Sequence, residues 1–201
     1  MNDTKKNHSS STTLTNWRRK ISCYEFSVLE FLAVKFDFFY KILLHWRTSV
    51  FRNEIAMARI TNQDKVLHVG CGTLPSASIM IAEEIHAKVV GIDNNRTAVK
   101  LAQHYIKKKG LGDRITIEYG DGTTYPVEEY DVIFIAINVW PIDGVLRHIA
   151  SHAKPGVRIL CKDVKDDILP LVENKEFRDF FLVTARLQNP RTQSFLLTKI
   201  K

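Results

Sequence analysis

Short apolar runs alternate with helical patterns along residues 61–201. Strands that alternate with helices of this length form parallel βαβ units, so the sequence predicts an α/β domain whose sheet is buried on both faces. The predicted strands are Val66–Val69, Lys88–Ile92, Ile115–Glu118, Asp131–Ile137 and Val157–Cys161. The predicted helices are Ser76–His86, Arg96–Lys109 and Ile142–Ala153.

The end of the chain has a different pattern. Phe180–Leu187 and Ser194–Ile200 are strand-like runs that flank the turn-forming residues 188–192, which include Asn189 and Pro190. Two such runs around a short turn predict a β-hairpin. The predicted sheet is therefore open, mostly parallel and closed by an antiparallel hairpin.

Residues 17–60 contain neither Gly nor Pro, and their apolar residues occupy more than one helical face. This pattern predicts helices that either cap the core domain or make a homodimer contact. Phe26–Trp46 is the most apolar stretch, but four charged residues interrupt it, which disfavours a transmembrane segment. The predicted organisation is a disordered polar tail (1–16), a helical cap (17–60) and the α/β domain (61–201).

Composition adds little to this organisation. Hydrophobic residues make up 45% of the 201 residues, and the formal net charge is +7. Much of that charge lies in residues 1–20, where a basic tail is either solvated or touches an anionic surface. The three cysteines have no metal-like or paired spacing, so we expect a reducing, cytoplasmic compartment and no metal site.

The first predicted strand runs into Gly70-Cys71-Gly72, and a predicted helix follows. In that position the first glycine permits a tight turn, and the second lets a ligand lie against the backbone. No third glycine follows at the spacing that a dinucleotide pyrophosphate favours. The alternatives are a site for another nucleoside or a plain strand-to-helix turn.

Two acidic residues at the ends of later strands favour the ligand site. Asp93 ends the second strand, where a carboxylate accepts ribose hydroxyls in folds of this kind. Asp121, between Gly120 and Gly122, follows the third strand, where a short acid can meet an adenine amino group.

Lys65–Asp163 resembles the class I S-adenosylmethionine (SAM)-dependent methyltransferases, through Val69–Thr73, Asp93, Gly120-Asp121 and Tyr130–Phe134. The resemblance implies a Rossmann-like sheet of seven strands and SAM as the cofactor. The cofactor-binding residues it implies are Gly70, Cys71, Gly72, Asp93, Asn94, Asp121 and Gly122. His68 stands where the family usually has an acid, and we expect it to be either structural or a weak hydrogen-bonding substitute for that acid.

A closer resemblance is to nicotianamine synthases and related opine-type metallophore synthases. It rests on three segments: Gly70–Pro75, Arg52–Ala56 and Asn189–Leu197. Those enzymes transfer the aminocarboxypropyl arm of SAM, and the resemblance implies that Glu54 is catalytic and that His86 lies in the acceptor pocket. The alternative for Glu54 is a solvated helix residue.

The acceptor pocket is expected beyond the fourth strand, where Asn138 and Trp140 follow Ile137. Trp140 either walls this pocket or packs on the next helix. No Asn/Asp-Pro-Pro-aromatic motif is present, which counts against nucleic-acid bases as acceptors.

Three functions remain open from the sequence. The first is methyl transfer from SAM to a small molecule or a protein side chain. The second is aminocarboxypropyl transfer to an amine, and the third is SAM binding without catalysis. We favour the first, because the fold so often performs it.

Overall fold

The computed structural model describes residues 48–137, 139–163, 167–189 and 192–201. The predicted polar tail and most of the predicted helical cap, including Phe26–Trp46 with its proposed dimer contact, lie outside these residues. The described part of the cap is a helix over 48–57, here called α1.

Seven strands form one sheet in the order β3-β2-β1-β4-β5-β7-β6. The strands are β1 (Lys65–Val69), β2 (Lys88–Asp93), β3 (Ile115–Tyr119), β4 (Val132–Ile135), β5 (Arg158–Asp163), β6 (Phe181–Gln188) and β7 (Gln193–Lys199). The first five run parallel, whereas β7 is antiparallel to both β5 and β6. The predicted fold class, a mostly parallel seven-stranded sheet with a closing hairpin, is confirmed.

The helices after α1 are α2 (Ser76–Met80, continued by a π-helical turn at Ile81–Ile85), α3 (Arg96–Lys109), α4 (Ile142–His152) and α5 (Ile168–Glu173). Helix α3 has the predicted bounds because both of its ends are capped. The Asn95 side chain accepts hydrogen bonds from two backbone N–H groups of the first turn, and Gly110 ends the helix in a left-handed conformation.

Helix α5 was not predicted. Its third residue is Pro170, which suggests a loop when the sequence is read alone. Proline is tolerated in a first helical turn, however, because the N–H that it lacks has no partner there. The backbone N–H of Ile168 donates to the Asp163 carboxylate (3.1 Å), which secures the start of the helix.

Two apolar layers cover the sheet. Phe51 and Ile55 of α1 pack with α2 and α3 on one face, against side chains such as Phe134 and Leu160. Helices α4 and α5 cover the other face. The central strands are therefore buried on both sides, and polar groups of the sheet are confined largely to its edges.

Candidate functional site

The turn after β1 is tied to the end of β2. Gly70 and Gly72 both have positive φ angles, +74° and +70°. The N–H groups of Gly70 and Cys71 both donate to the Ile92 carbonyl, at 2.9 and 3.0 Å. The chain thus folds back over the adjacent strand before α2 begins.

Asp93 holds this turn through its carboxylate. One oxygen, Oδ2, accepts the Gly72 N–H (2.9 Å), and the other, Oδ1, accepts the Asn95 N–H (2.9 Å). Asp93 is half-buried, and the intervening Asn94 is exposed. Because each carboxylate oxygen can accept two hydrogen bonds, both oxygens keep capacity for a ligand hydroxyl.

The turn after β3 reaches the same edge. The Gly120 N–H donates to the Asp93 carbonyl (3.1 Å). The Asp121 Oδ1 accepts the N–H and the hydroxyl of Thr123 (2.8 and 2.7 Å), which lowers the pKa of that carboxyl. A Cβ atom on Gly122 would lie 2.7 Å from Val69 Cγ1, so this turn passes closely over the end of β1.

The segment after β4 closes the edge on its other side. The Ala136 N–H donates to the Val69 carbonyl (3.0 Å), and Val139 packs over Gly70. The Trp140 side chain is 60% exposed, so it is not buried against the following helix. Asn138 lies outside the described residues.

His86 is not part of this edge. It ends the π-helical turn in a left-handed conformation and lies two residues before the first residue of β2. Parallel strands begin at one edge and end at the other, so His86 is at the amino edge, where it contacts Arg114. The structure therefore corrects its assignment to the acceptor pocket.

Glu54 is completely buried, which excludes the solvated position that the sequence left open. Its Oε1 accepts a hydrogen bond from the Ser194 hydroxyl (2.6 Å), and its Oε2 lies 3.1 Å from the Lys162 ammonium. We call Glu54, Lys162 and Ser194 the Glu54 cluster. It joins α1 to the ends of β5 and β7 that pair with each other.

The sequence gives little sign that Lys162 is a functional residue, and it was not predicted as one. The only sequence signal for Lys162 is its charge directly after the predicted strand Val157–Cys161, and such a charge also fits an ordinary strand end. Strand register supplies the missing information. Val69 pairs with Ile135, and Ile135 with Cys161, so Lys162 lies level with Gly70 at the carboxyl edge.

His68 is a buried residue on the sheet face that carries the Glu54 cluster, since both His68 and Lys162 contact the Phe134 ring. Its Nδ1 lies 2.8 Å from the Ser78 hydroxyl, and its ring meets Phe134 edge-on at 5.0 Å. Burial, and secondarily the charge of Lys162, lowers its pKa to about 3. His68 is therefore a neutral hydrogen-bonding residue near pH 7, in agreement with the structural role expected for it.

Two kinds of feature are absent from the described residues. They hold no group of three or more His, Cys, Asp or Glu side chains suited to a metal ion. Nor does any helix in these ranges combine the length and the apolar character that a membrane crossing needs.

Comparison with known proteins identifies the class of domain. Residues 66–156 match a family model described as a methyltransferase domain. The demethylmenaquinone methyltransferase of Lactiplantibacillus plantarum is 26% identical over 136 residues, which cover 64% of this chain and 55% of that protein. The sterol 24-C-methyltransferase of Eremothecium gossypii is 34% identical over 104 residues, which cover 49% of this chain and 28% of that protein.

Among solved structures, a mutant of MtNAS in complex with S-adenosylmethionine superposes with a TM-score of 0.76 at 19% identity. The likeness covers 91% of this chain and 76% of that chain. The chain spans about half the length of the demethylmenaquinone methyltransferase and about a quarter of the length of the sterol methyltransferase. Residues 66–156 thus match a methyltransferase domain, in agreement with the predicted resemblance to the class I SAM-dependent methyltransferases, and the fold of the chain resembles that of MtNAS.

Replacing Gly70 with Ala should destabilise the protein more than the same change at Gly110. Both residues have similar positive φ angles, so both variants carry the same backbone strain. At Gly70 the new Cβ would also lie 2.6 Å from Val139 Cγ2, whereas Gly110 has no atom within 4 Å. We expect the free energy of unfolding to fall by about 1–3 kcal/mol more for Gly70→Ala. Equal urea midpoints for the two variants would contradict the close packing over this turn.

His68 should make stability depend on acid pH. The pKa of its imidazole is about 3 in the folded protein and 6.5 in the unfolded chain, which therefore binds the extra proton between these values. This contribution is fully present above pH 6.5 and declines by about 1.4 kcal/mol for each pH unit below it. Urea unfolding at pH 7, 6 and 5 should therefore show a steeper loss for wild type than for His68→Asn. Parallel losses would contradict a buried neutral His68.

Proposed function

We propose that this chain is a SAM-dependent transferase whose cofactor lies at the carboxyl edge of β1, β2 and β3. The glycine turn after β1, which the Asp93 carboxylate at the end of β2 holds in place, supports this proposal most directly. After β3 the chain crosses to the other side of β1, so β1 and β4 flank the point where the strand order reverses. Ligands of open α/β sheets bind at such a point.

The residues at this edge fit the groups of SAM. Both oxygens of the Asp93 carboxylate have capacity for the ribose hydroxyls, with Asn94 beside them. Both Thr123 hydrogen bonds go to Oδ1 of Asp121, and Oδ2 remains to meet the adenine amino group. Gly70, Cys71, Gly72 and Gly122 lie in the turns beside these two carboxylates and are the other proposed cofactor-binding residues.

SAM supplies a carbon atom that its sulfonium has already activated for in-line attack. The protein therefore needs mainly to orient an acceptor and to take its proton. We assign the proton acceptor role to Glu54, whose carboxylate contacts Lys162, the strand residue that is level with Gly70. Asn138 and Trp140, after β4, are the proposed acceptor-pocket residues.

Methyl transfer is the reaction we favour, with a small molecule or a protein side chain as the acceptor. The methyltransferase family match over residues 66–156 supports it. Nucleic acid is a less favoured partner, since the motif used on flipped bases is absent. We also propose a reducing, cytoplasmic location, which the two buried cysteines Cys71 and Cys161 suit.

Aminocarboxypropyl transfer to an amine is the second candidate, and the Glu54 cluster favours it. All three residues of this cluster lie outside the matched range 66–156, so a methyltransferase domain as such does not account for them. A buried carboxylate is well suited to an amine, because it can bind an N–H group and then accept the proton.

Asp93→Ala should weaken SAM binding at least tenfold. The change removes charge-assisted hydrogen bonds worth about 1.5–3 kcal/mol, and it also releases the Gly72 N–H. Isothermal titration calorimetry with SAM measures the effect. Asp113→Ala is the matched control, since Asp113 is an exposed acid just before the start of β3. Equal SAM affinity in the two variants would remove Asp93 from the site.

Glu54→Gln should lower turnover by about 10²–10⁴-fold while SAM affinity changes little, because the proton acceptor is lost and the adenosine contacts are not. Turnover is measured with labelled SAM and a small-molecule cell extract. The by-product identifies the reaction: S-adenosylhomocysteine means methyl transfer, and methylthioadenosine means aminocarboxypropyl transfer. Glu83→Gln, at an exposed position, is the control. Wild-type turnover in Glu54→Gln would contradict the assigned role.

A further inference from the structure

The Glu54 cluster places a lysine beside the proposed proton acceptor. Lys162 is the second-last residue of β5 and pairs with Ser194 of β7. Two strand spacings separate β5 from β1, so the Lys162 backbone lies roughly 10 Å from the glycine turn. The cluster is therefore close enough to the proposed cofactor edge for a small acceptor to bridge the two.

The ammonium of Lys162 is held on several sides. It lies 3.1 Å from Glu54 Oε2, 4.2 Å from the centre of the Phe51 ring and 5.8 Å from that of Phe134. Only 12% of the Lys162 side chain is exposed. A cation between a carboxylate and two aromatic faces has little freedom to leave.

The two oxygens of Glu54 have different surroundings. Oε1 accepts the short hydrogen bond from Ser194, which fixes the plane of the carboxylate. Oε2 accepts no hydrogen bond within the described part of the chain, although the Lys162 ammonium is at ion-pair distance. The Lys162 ammonium thus balances the charge of Glu54, and Oε2 keeps a lone pair that can accept the N–H group of an acceptor molecule.

We propose that Lys162 is a positioning residue that, through its ion pair, holds the Glu54 carboxylate in place at the carboxyl edge. This inference rests on the proposed function and adds a second residue to it. In the transfer, the acceptor nitrogen forms a bond to the SAM carbon, and the carbon–sulfur bond breaks with its electron pair passing to sulfur. The N–H proton passes to Glu54 Oε2, and Lys162 keeps its own proton.

A purely structural ion pair would lock α1 onto the sheet without serving the reaction. The two roles predict different behaviour in a double-mutant cycle of K162M, E54Q and E54Q/K162M, with K162R as the conservative variant. If Lys162 acts through Glu54, then K162M has no further effect once Glu54 has been replaced. If it acts independently, the two losses of turnover multiply.

The experiment measures turnover of labelled SAM with the small-molecule extract, together with SAM affinity by calorimetry. We expect K162M to fall at least 100-fold in turnover with SAM affinity within twofold of wild type. E54Q/K162M should be no slower than E54Q, and K162R should recover at least a tenth of wild-type turnover. Wild-type turnover in K162M, or multiplied losses in the double variant, would overturn the proposal.

Stability measurements cover the case in which K162M fails to fold. Removing Lys162 alone leaves a buried charge without its partner, whereas the double variant leaves none. E54Q/K162M should therefore unfold at a higher urea concentration than K162M, and additive midpoint shifts would overturn the proposal without any turnover assay. Failure of wild type to bind SAM would instead refute the transferase assignment, so the two failures are distinguishable.

Discussion

A carboxylate without solvent contact needs a counter-charge inside the protein, and Glu54 is such a group. Lys162 and Ser194 supply its charge partner and its hydrogen bond. Because Glu54 lies on α1 and its partners lie on β5 and β7, this interaction ties the helix to the sheet, together with the packing of Phe51 and Ile55. A segment that precedes the matched methyltransferase domain thereby contributes a polar group to the carboxyl edge.

The parallel direction of the strands accounts for the rest of the site. Since β1 to β5 all end at one edge, the residues that follow them converge there, although they are far apart in sequence. The Asp93 carboxylate then ties the end of β2 to the glycine turn after β1. The candidate site combines the glycine turn, which local sequence specifies, with the Glu54 cluster, which only strand pairing assembles.

Local patterns were sufficient to predict most of the fold. Helix α3 has its predicted bounds because Asn95 and Gly110 mark its ends. Helix α5 was missed because Pro170, in its first turn, is more typical of a loop. The position of Gly70, Asp93 and Asp121 at one edge of the sheet was also predictable, since each lies at or just after the end of a strand. The contact between Glu54 and Ser194 was not predictable, because 140 positions separate the two residues and no local sequence pattern indicates a contact at that distance.

A crystal structure of the chain grown with SAM or S-adenosylhomocysteine tests the central claim most directly. We expect the ribose hydroxyls to bind the Asp93 carboxylate and the adenine to lie beside Asp121. The sulfur should lie at the carboxyl edge, on the side towards Glu54. A ligand bound elsewhere, or a Glu54 carboxylate separated from it by closed core packing, would contradict the account.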